Sequence, residues 1–135
     1  MKIIVCLDDN GGMTFNNRRQ SRDRVLIDDV IATVGDTVLY IDEYSMPLFE
    51  GKGANIVVSA DMPRDAGMGE YCFVENKPIS DFFDIQELVI YRWNRIYPRD
   101  LTFDLDLEKN GFSLVSSCEF AGYSHEKITK EIFRK

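Results

Sequence analysis

The chain has 135 residues, a length typical of one folded domain, and 44% of them are hydrophobic, which is enough to form one core. Its 16 lysine and arginine residues against 23 aspartate and glutamate residues give a net charge of −7, which argues against broad binding to nucleic acid or anionic lipid. No apolar run approaches the ~20 residues that a membrane-spanning helix needs. We therefore predict a single domain over residues 1–135 that contacts neither a membrane nor bulk nucleic acid.

The cysteines and the first residues indicate the compartment. Cys6, Cys72 and Cys118 are odd in number and far apart, which predicts reduced thiols packed as small hydrophobic side chains. The opening residues, MKIIVCLDD, lack the long apolar core and the small-residue cleavage site of a signal peptide. Both features predict a cytoplasmic protein.

The first elements follow from apolar periodicity and turn chemistry. Residues 2–7 form a continuous apolar run, which predicts a strand buried on both faces, and the polar and glycine residues 8–12 end it. Ser21 is the predicted N-cap of a helix with an apolar stripe, and Asp23 would lie in its first turn, where the helix dipole favours a carboxylate. Gly35 is its predicted C-cap.

The rest of the chain is rich in predicted strands. Buried-type strands are predicted at residues 37–41, 55–59, 71–75 and 87–91. Short helical segments are predicted within residues 42–53 and from Ser80 to Ile85. Alternating apolar and polar residues predict strands with one wetter face at residues 102–107, 112–120 and 127–133. The order predicts an α/β fold: a mixed, mostly parallel sheet with two main flanking helices and a C-terminal antiparallel hairpin.

Several segments resemble dihydrofolate reductase. They are KIIVCLDDNGGM for the first strand and its loop, NIVVSAD for a central strand, ELVIYRWNRIY for a later strand, and DLEKNGFSLVSSCEF with KITKEIF for the final hairpin. The match runs in order along most of the chain and implies the fold of that family. The segment between Tyr97 and Thr102 and the connection of the final hairpin are shorter than in the family.

The resemblance also implies that the nicotinamide cofactor site is lost. The family holds the cofactor phosphates with a G-R-x-T turn after the second strand, where this chain has the acidic stretch 41–44. Where the family meets the 2′-phosphate with serine and arginine, residues 59–61 read Ser-Ala-Asp. The family's glycine pair is replaced by the bulky residues 91–94. We therefore predict no cofactor and no NADPH-dependent reduction of dihydrofolate.

The substrate side departs from the family as well. Residues 18–21 replace the family's Pro-Trp. The family's acid in the following helix corresponds to Asp23, or to Arg24 if the alignment shifts by one residue, and Asp23 is also explained as a helix-dipole carboxylate. No catalytic residue is predicted.

The sequence is also similar to short proteins of Firmicutes and their phages that carry the name ribonuclease Z. That enzyme class binds two zinc ions through an H-x-H-x-D-H cluster and further histidines. This chain contains one histidine, His125, which we interpret as a surface-turn residue. Asp104 and Asp106 alternate with apolar residues and are predicted to face water rather than a metal. No metal site and no zinc-dependent ribonuclease activity are predicted.

Arginine is concentrated in two segments of this acidic chain, residues 18–24 and 92–99. In the predicted fold both follow strands at the same edge of the sheet, where open α/β sheets bind ligands. Arginine makes bidentate contacts to phosphate, and an aromatic ring can stack on a base. The candidate ligand-binding residues are Arg18, Arg19, Arg22, Arg24, Tyr91, Arg92, Trp93, Asn94 and Arg95. The alternative is that these arginines pair with the surplus carboxylates.

These features predict a non-catalytic binding protein with a dihydrofolate-reductase-like fold. Its partner would be a small phosphate-bearing, nucleotide-type ligand, and a phage protein that sequesters a nucleotide signal is one such case. One alternative is a protein-interaction module with a closed cleft, and another is a reductase with altered cofactor use. The sequence leaves the ligand's identity and assembly into a homo-oligomer open.

Overall fold

The computed structural model describes residues 1–53 and 55–135, in which ten strands form two sheets. In chain order the strands are β1 (Lys2–Leu7), β2 (Gly12–Phe15), β3 (Arg18–Arg19), β4 (Leu39–Ile41), β5 (Ile56–Val58), β6 (Tyr71–Phe73), β7 (Glu87–Arg92), β8 (Leu101–Thr102), β9 (Ser113–Phe120) and β10 (Ile128–Arg134). The main sheet has the order β5-β4-β6-β1-β7-β10-β9, and a small sheet has the order β3-β2-β8.

The main sheet is mixed and mostly parallel, as predicted. β1 lies in its middle, parallel to β6 and to β7, with Ile4 opposite both Phe73 and Val89. β10 runs antiparallel to β7 and to β9, which confirms the C-terminal hairpin. β8 covers only the start of the predicted strand 102–107.

The prediction that residues 55–59 form a central strand is wrong. β5 is the edge strand of the main sheet and pairs with β4 alone. Val57 and Val58 are 43% and 47% exposed. A short run of β-branched residues is compatible with a central or an edge position, because periodicity does not report how many neighbours a strand has.

One long helix flanks the sheet where two were predicted. The helices are α1 (Arg24–Val34), α2 (Met46–Phe49) and α3 (Met62–Asp65), with 3₁₀ turns at Glu43–Ser45 and Ile79–Asp81. The predicted helix from Ser80 to Ile85 is therefore only a 3₁₀ turn. The N-cap of α1 is Asp23, not Ser21, whereas Gly35 ends the helix with a φ of 57°, as its lack of a Cβ permits.

Core residues lie on both faces of the sheet. Alternate residues of β1 and β7 point to opposite sides, so Ile4 and Val89 pack toward α1 while Ile3 and Leu88 pack on the other face. The second face is covered in part by apolar residues of the irregular segment 103–107. In the part of the chain that the structure describes, no helix is long and apolar enough to cross a membrane.

Candidate functional site

The loops after β1 and β7 meet at the carboxyl edge of the sheet. Asp8, directly after β1, is buried and accepts hydrogen bonds from the N–H groups of Asn10, Gly12 and Tyr97 at 2.7–3.0 Å. Burial raises the pKa of Asp8, but the hydrogen bonds from Tyr97, Gly12 and Asn10 outweigh it and lower the pKa below its ordinary value. This carboxylate therefore fixes the segment after β7 against the loop after β1.

Asp23 forms a second buried carboxylate centre, at the start of α1. Its Oδ1 accepts hydrogen bonds from Val25 N at 2.9 Å and Tyr123 N at 2.9 Å. Its Oδ2 accepts from Ser124 N at 2.9 Å and lies 2.9 Å from His125 Nδ1. Burial raises the pKa of Asp23, but these hydrogen bonds outweigh it, so the pKa lies well below its ordinary value. We call Asp23, Ser124 and His125 the Asp23 junction.

The close approach of the β9–β10 turn to α1 requires glycine at position 122. A Cβ there would lie 2.5 Å from Asp23 Oδ2 and 2.8 Å from Ile128 Cδ1. The shortened connection of the final hairpin therefore folds directly onto the start of α1. Both oxygens of Asp23 are therefore occupied by contacts within the chain.

His125 is buried, which corrects the prediction of a surface histidine. It is 4% exposed, and its ring stacks on Trp93 with centroids 4.5 Å apart and an interplanar angle of 28°. The carboxylate beside Nδ1 places the ring proton there, so Nε2 is the acceptor. Two hydroxyls reach that nitrogen, Ser21 Oγ at 3.0 Å and Tyr97 OH at 3.1 Å.

Three of the predicted arginines have partners. Arg19 makes a bidentate contact to Glu75, with Nε–Oε2 at 2.8 Å and Nη2–Oε1 at 3.1 Å, and this bonding raises the pKa of Arg19. Arg92 pairs with Glu131. Arg24 lies over the ring of Tyr123. The ion pairs of Arg19 and Arg92 therefore agree with the alternative interpretation, in which these arginines pair with surplus carboxylates.

The other predicted residues divide into free and buried side chains. Within residues 1–53 and 55–135, Arg18, Arg22 and Arg95 are exposed and form no ion pair with a carboxylate. Tyr91 is fully buried, and its hydroxyl donates to Asp29 at 2.6 Å.

Trp93 and Asn94 also make contacts within the chain. Trp93 is 4% exposed beneath His125. Asn94 donates to Lys127 O at 3.1 Å and to Thr129 Oγ1 at 3.0 Å.

A small inner cavity and a larger open depression lie at this edge. The inner cavity, lined by Cys6, Arg19, Ser21, Arg22, Phe73 and Trp93 among others, leaves about 20 Å³ for the centre of a water molecule, room for about one water. The outer cleft, lined by Phe15, Asn16, Arg18, Arg19, Tyr97 and Pro98 among others, has about 580 Å³ on the same measure.

The outer cleft combines both arginine-rich segments but uses aromatic residues that the sequence analysis did not select. Phe15 and Arg18 are cross-strand partners joined by a two-residue turn, in which Asn16 and Asn17 have φ of 52° and 60°. Two consecutive asparagines in the left-handed conformation favour tight hairpins, so the Asn-Asn dipeptide is the sequence feature that could have predicted this turn. Tyr97 comes from the segment after β7.

An acidic segment follows β4 at the edge of the sheet. Asp42 is buried and accepts from Ser45 N at 3.2 Å, and Lys77 Nζ lies 3.0 Å from its Oδ2. Ser45 Oγ donates to Glu75 at 2.7 Å. The Asp42 carboxylate is therefore paired with a lysine and bonded within its own segment. Among the described residues, no three His, Cys, Asp or Glu side chains form a group that could hold a metal ion.

Comparisons with known proteins identify the architecture. No protein-family model matches the sequence, and no curated protein matches it either. A solved structure, dihydrofolate reductase from Enterococcus faecalis complexed with NADP(H) and RAB-propyl, matches with a TM-score of 0.62 over 98% of this chain and 94% of that chain. The chain has the dihydrofolate reductase fold. Sequence identity to that enzyme is 10%, so the likeness concerns the fold alone.

Proposed function

We propose that the protein binds a small phosphate-bearing, nucleotide-type ligand in the outer cleft and does not reduce a folate. The observation that carries the proposal is the position of Arg18, whose side chain is exposed in the cleft without a carboxylate partner among the described residues. A guanidinium in this state is available for bidentate contact with phosphate.

The size and lining of the cleft support the same ligand class. About 580 Å³ lies within the range of 300–1,000 Å³ typical of small-molecule sites. Phe15 is 40% exposed beside Arg18, and Tyr97 faces it from the other segment, so a base can stack on an aromatic ring while its phosphate meets the arginine. Arg19, which is neutralised by Glu75, would position the hairpin rather than bind phosphate.

A thermal-shift screen with AMP, ATP, GTP, cyclic AMP and pyrophosphate tests the proposal. A ligand at ~100 times its Kd adds about 2.7 kcal/mol of stability, which raises the Tm by several degrees. We expect Arg18→Ala to abolish the shift and Arg64→Ala, an exposed arginine elsewhere on the surface, to retain it. No shift with any nucleotide, or an equal shift in Arg18→Ala, would refute the proposal.

A second candidate is a protein-interaction module, and strand β9 favours it. β9 is a long edge strand, and its Leu114 and Val115 are 51% and 50% exposed. An open strand edge can pair with a strand of another chain, including a second copy of this one. Sedimentation analysis of wild type and Val115→Lys tests this function: a dimer that the lysine abolishes supports it, and a wild-type monomer at all concentrations contradicts assembly through β9.

A further inference from the structure

We infer that Ser21, His125 and Asp23 form a nucleophilic site that cleaves activated esters by acyl transfer to Ser21. This goes beyond ligand binding in the outer cleft and does not depend on it. Ser21 Oγ lies 3.0 Å from His125 Nε2, and His125 Nδ1 lies 2.9 Å from Asp23 Oδ2. Nucleophile, base and orienting carboxylate are thus within hydrogen-bond reach in the order that activates a serine.

The surroundings of His125 keep Asp23 ionised and fix the orientation of the imidazole ring. The pKa of Asp23 stays below its ordinary range despite burial, because backbone N–H groups of Tyr123 and Ser124 donate to it. The carboxylate is therefore ionised at neutral pH and can stabilise an imidazolium. Stacking on Trp93 fixes the plane of the His125 ring. Both are the features that orient the base in a serine-histidine-aspartate site.

The position of Ser21 provides access and stabilisation of charge. Ser21 is only half-buried, in the segment that leads into α1, so its hydroxyl can be approached while His125 is shielded. Arg22 follows it, is exposed and forms no ion pair among the described residues, so its guanidinium can stabilise negative charge that develops on an ester at Ser21.

The reaction balances with water as the second substrate. Ser21 Oγ attacks the ester carbonyl carbon while His125 Nε2 takes the hydroxyl proton. The carbon–oxygen bond to the alcohol then breaks, and His125 returns the proton to the departing oxygen. Water, deprotonated by the same nitrogen, attacks the acyl-serine, which releases the carboxylic acid and restores Ser21. Tyr97 competes for Nε2, so its removal should increase the hydroxyl–imidazole contact of Ser21.

Labelling and hydrolysis test the inference on the folded protein. We expect a fluorophosphonate to add once to the chain, with the adduct on Ser21 in peptide mapping, and p-nitrophenyl acetate to be hydrolysed. Ser21→Ala should lower both rates by about 100-fold or more. Ser117→Ala, on exposed strand β9, and Arg64→Ala, an exposed arginine outside both sites, should retain them.

A cysteine variant gives a second readout that does not depend on hydrolysis. In Ser21→Cys, the neighbouring imidazole should favour the thiolate, so iodoacetamide should alkylate position 21 at least tenfold faster than the exposed Cys118 of the same molecule. An unlabelled Ser21, a Ser21→Ala protein that hydrolyses the ester like wild type, or equal alkylation of positions 21 and 118 would each overturn the inference.

Discussion

Replacing Asp23 by alanine should destabilise the protein more than any other single carboxylate on α1 or at its start. The side chain of Asp23 is fully buried, caps α1 through Val25 N, and holds Tyr123, Ser124 and His125 of the β9–β10 turn. Its removal leaves buried N–H groups without an acceptor at two distant points of the chain. The sheet edge and the helix start are therefore weakened together.

The expected loss is about 3–5 kcal/mol: roughly 1 kcal/mol for the lost helix cap, and about 1–3 kcal/mol for each buried N–H group left without its acceptor. Asp23→Ser keeps a capping oxygen and should lose about 1 kcal/mol less. Urea unfolding measures both, with fluorescence of Trp93, the one tryptophan in the chain, reporting from beside His125. With a urea m-value of about 1–3 kcal/mol per molar, the midpoint should fall by 1 M or more.

Asp28→Ala is the matched control on the same helix. Asp28 is 62% exposed and pairs with Lys52 Nζ at 2.6 Å, a surface contact worth about 0–1 kcal/mol. A loss in Asp23→Ala no larger than in Asp28→Ala would refute the view that the Asp23 junction holds the turn to the helix.

Three further predictions follow from the same geometry. Because the pKa values of Asp8 and Asp23 are lowered by folding, their contribution is complete above about pH 4, the unfolded value, and is lost as the pH falls toward the folded values. The urea midpoint should therefore fall as the pH is lowered below about 4, and an equally large fall in Asp23→Ala would contradict this. Gly122→Ala should lower the free energy of unfolding by about 1–3 kcal/mol, because the alanine methyl group would collide with the Asp23 carboxylate. An unchanged urea midpoint would show that the turn can move away without loss of stability. Absorbance at 340 nm should show no oxidation of NADPH with dihydrofolate, and turnover above the blank would disprove the loss of reductase chemistry.

Several strands could be predicted from the pattern of apolar and polar residues along them. The continuous apolar run of β1 is typical of a strand covered on both faces, and the antiparallel pairing predicted for β9 and β10 is confirmed. The prediction of one buried face is wrong for β9, which is exposed on both faces. Strand order was accessible only through the family resemblance, and it failed for β5, whose apolar residues lie at an open edge. Local sequence carries no information about that choice.

Only part of the candidate site could be predicted from the sequence. The two arginine-rich segments lie together as expected, but charge counting cannot tell Arg19, which is paired with Glu75, from Arg18, which is free of such a pair among the described residues. Asp23 and His125 are far apart in the sequence, and no local motif indicates that they are in contact. His125 looked exposed because its neighbours are polar, whereas the turn that carries it folds inward.

The central position of β1 has a consequence for biosynthesis. β1 is synthesised well before both of its neighbours, β6 and β7, and β10 joins β7 after them. At a translation rate of about 5–20 residues per second, the nascent apolar strand waits several seconds for its first partner. Pairings so distant in sequence close slowly. During synthesis β1 therefore remains an apolar segment without a strand partner until β6 and β7 have been made.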